Sequence, residues 1–370
     1  MSSEKKALIF RKRLLPYSET FIADQGAYLD TYQANYCGFK IDSSGVQLLP
    51  ESSLYLLDAY SRFPQISKLL FRFGLHNNKW LNDLADINAN IIHAHFLNDG
   101  MDALRLKEKL NIPLITTLHG HDITKAEKSG SFVCSRKNFF GSIDKVIAVS
   151  NYIYNHAIDN GCPEDKLVLH SIGIDLEKFK QDKEESDSPE ILFVGRLVEK
   201  KGLTYLLDAI NMLQNKYADL KLTVVGDGPL KPILIQKVEA LDLCVDFVGK
   251  ESPEKVRDRL SSAWLFAAPS ITAEDGDAEG LGMVFLEAQA LKTPVVSFAS
   301  GGVVEAVDDG VTGLLSKEKD IKGLADSIEF FLENATERQL YGERGRKRVE
   351  ELFDVRKQCL LLEDIYDSVC

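Results

Sequence analysis

The chain of 370 residues has few of the features that mark membrane, extracellular or nucleic-acid-binding proteins. Its start, MSSEKKALIFRKRLL, holds one short apolar stretch enclosed by charges, too short for a signal peptide or a membrane span, so the expected location is the cytoplasm. Its six cysteines, Cys37, Cys134, Cys162, Cys244, Cys359 and Cys370, form no C-x-x-C pair; this argues against a zinc site or a disulfide framework and fits free thiols in a reducing compartment. A basic excess is also missing. The formal net charge of −12 argues against a nucleic-acid partner. No repeat of 20 to 50 residues and no low-complexity tract is present, which excludes solenoids and tethers.

What remains is an ordinary globular composition, 45% hydrophobic and 27% charged, in a chain long enough for two or three domains. Short apolar runs alternate with helical patterns from end to end: KALIF, ANYCGF, NIIHAH, PLITTL, KVIAVS and KLVLHS, then EILFVG, LKLTVVG, VDFVG, WLFAAP and PVVSF. That alternation predicts α/β architecture, two Rossmann-like doubly wound parallel-sheet domains. The polar, highly charged stretch KQDKEESDSP over 180–189 reads as the linker between a first domain at 1–180 and a second at 181–354. The acid excess falls almost entirely on the second half. Ligands of open parallel sheets sit at the carboxyl ends of strands, so the site is expected in a cleft between the two domains.

One stretch concentrates the chemistry. In PSITAEDGDAEGLGMVFLEAQALKTP, a buried strand precedes a Gly/Asp loop, and from Gly282 helix formers take over. A helix start exposes unpaired N–H groups and a positive dipole end, and glycine lets a ligand approach, so Gly280, Leu281, Gly282, Met283 and Val284 suit a phosphate. Glu279 lies on the loop and Glu287 about two turns into the helix. From spacing alone, turning glycines with two solvated glutamates explain the pattern as well.

Other motifs follow the remaining strands. GRLVEKKG brings Arg196 and Lys201 to a strand end, where both can meet phosphate oxygens. VVGDGP is a tight turn at Gly226 and Gly228 without the G-x-G-x-x-G dinucleotide pattern, and Val248 and Gly249 end the next strand. His93, His95 and Asn98 follow one strand, and His119, His121 and Asp122 another; hydrogen-bonded histidines are the commoner reading there, and no metal is expected. Asp275-Gly276-Asp277 reads as a loop. In LPYSETFI, Ser18 reads as a helix N-cap ahead of Phe21 and Ile22. Tyr55 to Trp80 interleaves Arg62, Lys68, Arg72 and Lys79 with apolar and aromatic residues on one helical stretch, either a surface for an anionic membrane or a packed helix with a solvated basic face.

Taken together, EGLGMVFLEAQA followed by TPVVSFASGGVVEAVDDGVTGLL resembles the E-x7-E signature of the retaining glycosyltransferases of family 4. FVGRLVEKKG, VVGDGP and TLHGHD match further motifs of that family, and PYSETFI and DGDAEG are similar to its exopolysaccharide and colanic-acid type. The resemblance implies a GT-B fold and transfer of a hexose from a UDP- or GDP-sugar to a saccharide or lipid-linked saccharide, without a metal. It places Glu279 and His119 at the reacting sugar and Glu287 on the ribose. Arg196 and Lys201 fall on the diphosphate, the backbone of Gly195, Gly226 and Gly228 beneath the nucleotide, and Val248 and Gly249 against the base. Ser18, Glu19, Thr20, His95 and Asp122 fall on loops facing acceptor or phosphate. The amphipathic 355–370 segment is expected to cross back to the first domain. Independently of the resemblance, the membrane reading of Tyr55 to Trp80 would put that stretch on the inner face of the cell membrane. Another GT-B enzyme, an epimerase or phosphorylase-like, and a non-catalytic sugar-nucleotide-binding protein are the rival readings.

Overall fold

Strands that read as continuous apolar runs bury both faces, and in this chain they build two parallel sheets in two separate compact units, 1–173 with 355–370 and 174–354. The computed structural model describes residues 5–16, 19–42, 46–72, 74, 77–125, 129–180 and 185–370.

In the first unit the strands are β1 (Lys5–Phe10), β2 (Tyr32–Gly38), β3 (Leu54–Leu56), β4 (Ile91–His95), β5 (Leu114–Leu118), β6 (Lys145–Ala148) and β7 (Leu167–Leu169). Their order is β3-β2-β1-β4-β5-β6-β7, every pairing parallel. Ala7 stands between Ala34 and Ile91, and Ile92 opposite Leu114. The helix Leu97–Leu110 packs on β4 and β5.

The helix Val355–Asp367 completes this unit's core. Leu362 and Tyr366 join Ile9, Ile91 and Ile115 in one buried cluster. Glu363, on the same helix, accepts the backbone N–H groups of Asp30, Thr31 and Tyr32 at 2.9, 2.7 and 3.0 Å. A buried carboxylate that satisfies three amides fixes the register of the turn before β2, since each amide left unpaired would cost about 1–3 kcal/mol.

The second unit contains β8 (Glu190–Val194), β9 (Lys221–Val225), β10 (Val245–Gly249), β11 (Leu265–Ala267), β12 (Val295–Phe298) and β13 (Gly313–Ser316), in the order β10-β9-β8-β11-β12-β13, again all parallel. Both sheets therefore carry the doubly wound order, in which the chain starts near the middle, winds to one edge, then returns and winds to the other.

Two local expectations change. The units divide at Gly173 and Ile174 rather than at Lys180, and part of the charged 180–189 stretch is packed on the second unit. Glu185 forms a two-point ion pair with Arg338, whose guanidinium lies 3.9 Å from the centre of the Trp264 ring, and Ser186 accepts the Trp264 indole N–H. Nor is Tyr55 to Trp80 one helical stretch. It comprises the end of β3, a 3-10 turn at Leu57–Tyr60, a helix at Pro64–Arg72 and the start of another at Asn78–Asp86. Pro64 fits the first position of a helix, where its missing N–H goes unused. Asn77 caps the last helix by accepting the N–H of Trp80.

Candidate functional site

In the second unit the strand order reverses between β8 and β11, which leaves a crevice at their carboxyl ends. The loop after β8 delivers Lys201 and the loop after β11 delivers Glu279. Their charges meet there: Lys201 Nζ lies 2.8 Å from Glu279 Oε1, with both side chains largely buried. The contact is an ion pair without the alignment of a directional hydrogen bond. Burial alone would push the Glu279 carboxyl up, but the charges of Lys201 and Lys200 overcome it and hold the group below the usual carboxylate range. Lys200 meanwhile pairs with Asp277 at 2.9 Å and reaches the Ala278 carbonyl at 3.3 Å. Asp277 N–H bonds Asp275 Oδ1 at 3.0 Å, so both aspartates of the D-x-D stretch take part in holding the loop.

The rest of the loop is fixed by backbone geometry. Leu281 is buried, and Glu279 accepts the N–H of Gly302 from the segment after β12 at 2.8 Å. At Gly282 the chain turns with φ 85°, and a Cβ there would lie 2.5 Å from the Phe285 ring, so glycine is required. This turn starts the helix Met283–Ala290, and the N–H groups of Met283 and Val284 meet no acceptor among the described residues. Glu287 lies half-buried on that helix.

Neighbouring strand ends close the floor. Gly226 takes φ 139°, and a Cβ there would lie 1.9 Å from the Gly195 carbonyl, so the turns after β8 and β9 touch backbone to backbone. Gly195 N–H bonds the Val225 carbonyl at 3.0 Å, and Gly226 N–H the Gly249 carbonyl at 2.7 Å. Gly228 packs against Leu197. Val224 pairs with Phe247 and Val225 with Gly249, so Val248 is passed over as a bulge. Arg196 stands exposed and forms no ion pair among the described residues. The structure therefore brings Lys201, Glu279, Gly282 and the first amides of the Met283 helix together, with Arg196 at the solvent side of the same loop.

The first unit repeats the arrangement at the reversal between β1 and β4. Arg11, the residue after β1, makes a two-point contact with Glu19 at 2.9 and 2.8 Å and a third with Asp99 at 2.6 Å. Its guanidinium covers the Phe96 ring at 4.2 Å. Burial opposes the charge, yet the Glu19 hydrogen bonds and the Asp99 charge more than restore it. Lys12 adds a backbone N–H to Asp99 at 2.7 Å and an ammonium to Asp102 at 2.9 Å. Thr20 precedes the helix Phe21–Ala27 without a side-chain cap bond, and the expected cap Ser18 lies outside the described residues.

Four histidines occupy different roles. His93 is inside β4, not at its end, and is satisfied on both nitrogens, by the Tyr366 hydroxyl at 2.7 Å and the Thr117 hydroxyl at 2.7 Å. Burial holds it neutral, with a pKa down to about 3. His95 Nδ1 meets His119 Nε2 at 3.0 Å. Both rings are held well below the usual histidine range, by burial first and by neighbouring histidines and Arg11 after it. The His121 ring lies against Phe96 at 5.5 Å. Asp122 accepts the N–H groups of Leu97, His119 and Gly120 at 2.9, 3.1 and 2.8 Å, which ties the loop carrying His119 to the start of the Leu97 helix.

The sequence reading passed over Arg11, Phe96, Asp99 and Lys200. A signal existed for Arg11: RKR directly after KALIF puts cations at a strand end, as GRLVEKKG does after EILFV.

The fold is GT-B: Anabaena HepE, solved in complex with UDP and glucose, superposes with a TM-score of 0.78 over 98% of this chain and 100% of that one, at 19% identity. The sequence matches the profile of Glycosyl transferases group 1 over residues 175–348 and that of Glycosyltransferase Family 4 over residues 48–178. Glycosyltransferase MJ1178 of Methanocaldococcus jannaschii is 31% identical over 78% of each chain. The amylovoran biosynthesis glycosyltransferase AmsK of Erwinia amylovora is 32% identical over 70% of this chain, which spans only 64% of AmsK's length. The chain belongs to the family 4 glycosyltransferases.

The ion pair at the crevice makes a prediction about stability. Lys201→Met strands a buried carboxylate and should destabilise the second unit by about 3–5 kcal/mol, as removal of one partner of a buried pair does. Adding Glu279→Gln should recover most of that loss in urea unfolding. Costs that simply add in the double variant would show that the two side chains are not coupled.

Proposed function

We propose that the chain is a retaining glycosyltransferase that moves a hexose from a UDP- or GDP-sugar to a saccharide or lipid-linked saccharide during assembly of a bacterial-type surface polysaccharide. The observation that carries this reading is the buried Lys201 and Glu279 pair at the reversal of a doubly wound sheet, beside the open amides of the Met283 helix. Departure of a nucleoside diphosphate builds negative charge, and preorganised cations and N–H groups stabilise it more than they stabilise the bound donor. Lys201, Arg196 and the Met283 and Val284 amides are assigned that work, which needs no metal cofactor. Glu279, held ionised, accepts a hydroxyl of the donor sugar, and Glu287 holds the ribose. The backbone of Gly226, Gly228, Val248 and Gly249 flanks the nucleotide.

In the reaction, the bond from the anomeric carbon to the diphosphate breaks while the acceptor hydroxyl bonds that carbon from the same face. The hydroxyl proton passes to the departing phosphate oxygen. The UDP in HepE supports a nucleoside diphosphate as donor product, and the naming of AmsK for amylovoran biosynthesis supports a polysaccharide acceptor. An epimerase or a binding protein would release no nucleotide in step with saccharide growth.

A membrane-bound acceptor fits a second feature of the first unit. Phe63, Ile66, Leu69 and Leu70 are 62, 54, 53 and 40% exposed, at spacings that share one face of the Pro64–Arg72 helix and its approach. Arg62 precedes them in the chain, and Lys79, on the next helix, lies over the Tyr60 ring. Lys68 is instead paired with Asp58 at 2.8 Å, and the Arg72 side chain lies outside the described residues. No described helix is long and apolar enough to cross a membrane. The proposal is that this ridge lies on an anionic lipid surface at the inner face of the cell membrane.

Two experiments follow. Glu279→Gln should lower kcat with a modest change in donor affinity, whereas Glu287→Gln should raise the donor KM about tenfold, the effect of about 1.5 kcal/mol from one weakened charged hydrogen bond. Reversed effects in steady-state assays would exchange the two roles, and transfer unaltered by either change would sink the reading. For the ridge, Ile66→Ser with Leu69→Ser should abolish flotation with phosphatidylglycerol-containing vesicles while circular dichroism stays unchanged. Undiminished flotation of the double variant contradicts membrane docking through this helix.

A further inference from the structure

The pair His95 and His119 poses a question of proton placement. Their facing nitrogens, His95 Nδ1 and His119 Nε2, are 3.0 Å apart, so one of them carries the shared hydrogen and the other accepts it. Both rings are held neutral by burial. Each ring then has a single proton, and the choice at the shared contact fixes the state of both outer nitrogens.

The buried outer nitrogen decides the choice. His95 is 1% exposed, and its Nε2 is enclosed with no hydrogen-bond partner. If His119 donated, the one proton of His95 would sit on that enclosed Nε2 as an N–H with nothing to receive it. If His95 donates from Nδ1, the same position holds only a bare lone pair. Orphaned N–H groups are rarer in protein interiors than under-satisfied acceptors. A half-turn of the ring would bring a carbon rather than a nitrogen to His119, and the ring is packed in its present setting by His93, ring centres 4.4 Å apart, and by Phe21 edge-on at 6.3 Å.

We infer that His95 is a positioning residue that donates Nδ1–H to His119 and so locks His119 in the Nδ1–H tautomer. An isolated histidine side chain prefers the opposite tautomer, with hydrogen on Nε2. The ring of His119 is half-buried, and its Nδ1 has no partner among the described residues. That nitrogen therefore offers an N–H donor to a ligand oxygen, whether of a sugar hydroxyl or a phosphate. His119 cannot act as the base that deprotonates an acceptor hydroxyl, because its one lone pair is already committed to His95. The role assigned to the donor rests on the glycosyltransferase reading above; the tautomer does not.

The test is long-range proton–nitrogen correlation NMR on the full chain labelled with 15N-histidine near pH 7.5, the two rings assigned by their loss in His95→Asn and His119→Asn. Expected are a pyrrole-type Nδ1 and a pyridine-type Nε2 for His119, with a pyrrole-type Nδ1 for His95. A pyrrole-type Nε2 on His119, or a doubly protonated ring, overturns the inference. His95→Ala should return His119 to the Nε2–H form and lower kcat. His95→Asn, whose amide can place an N–H near the lost Nδ1, should keep the Nδ1–H form and restore most of the rate; equal losses in both variants contradict positioning through that hydrogen bond. The expected tautomer in a chain that transfers no sugar from any UDP- or GDP-donor would leave the positioning intact and remove the functional reading.

Discussion

A carboxylate taken out of water keeps its charge only beside a cation, and in the second unit that requirement joins two loops that the chain places 78 residues apart, at Lys201 and Glu279. The loop after β8 is pulled onto the loop after β11, and Lys200 repeats the link through Asp277. With Glu279 fixed, its backbone carbonyl takes the Gly302 amide, and Gly282 can make the sharp turn that opens the Met283 helix toward the same crevice. In the proposed transfer, the charge that holds the loop is also the one that would meet the departing diphosphate. On that proposal stability and chemistry draw on one contact, which unfolding and transfer rate report on separately.

The first unit solves a similar problem with more partners. Arg11 binds two carboxylates and lies on an aromatic ring, so the orientation of a largely buried guanidinium is set from three sides. Around it the histidines are kept neutral, which suits hydrogen bonding at defined nitrogens better than proton transfer near neutral pH. The helix Val355–Asp367 belongs to the same economy of buried polar groups: Tyr366 satisfies His93, and Glu363 satisfies three amides.

Much of this was legible in the sequence because parallel strands buried on both faces leave continuous apolar runs. KALIF, EILFVG and their counterparts mark most of both sheets and define the fold class, and glycine after a strand marks the turns at Gly195, Gly226 and Gly249. The Met283 helix was legible too, since helix formers follow Gly282 at once. Contacts between distant residues were not. Nothing local distinguishes Lys201, buried on Glu279, from Arg196, exposed five residues earlier, or predicts that Asp99 is held by Arg11. The Tyr55 to Trp80 stretch misled for a different reason: its composition suggests one amphipathic helix, but a proline and an asparagine cap divide it, and the apolar side faces outward. Charged composition likewise suggested a linker at 180–189, where Glu185 instead finds a buried arginine.

The central claim, that the Lys201 and Glu279 crevice receives the diphosphate of the donor, is tested most directly by diffraction from crystals of the full chain grown with UDP and, in parallel, with GDP. The account predicts phosphate oxygens within hydrogen-bond distance of Lys201 Nζ and of the Met283 or Val284 amide. A nucleoside diphosphate bound with its phosphates away from all three of those groups would contradict it.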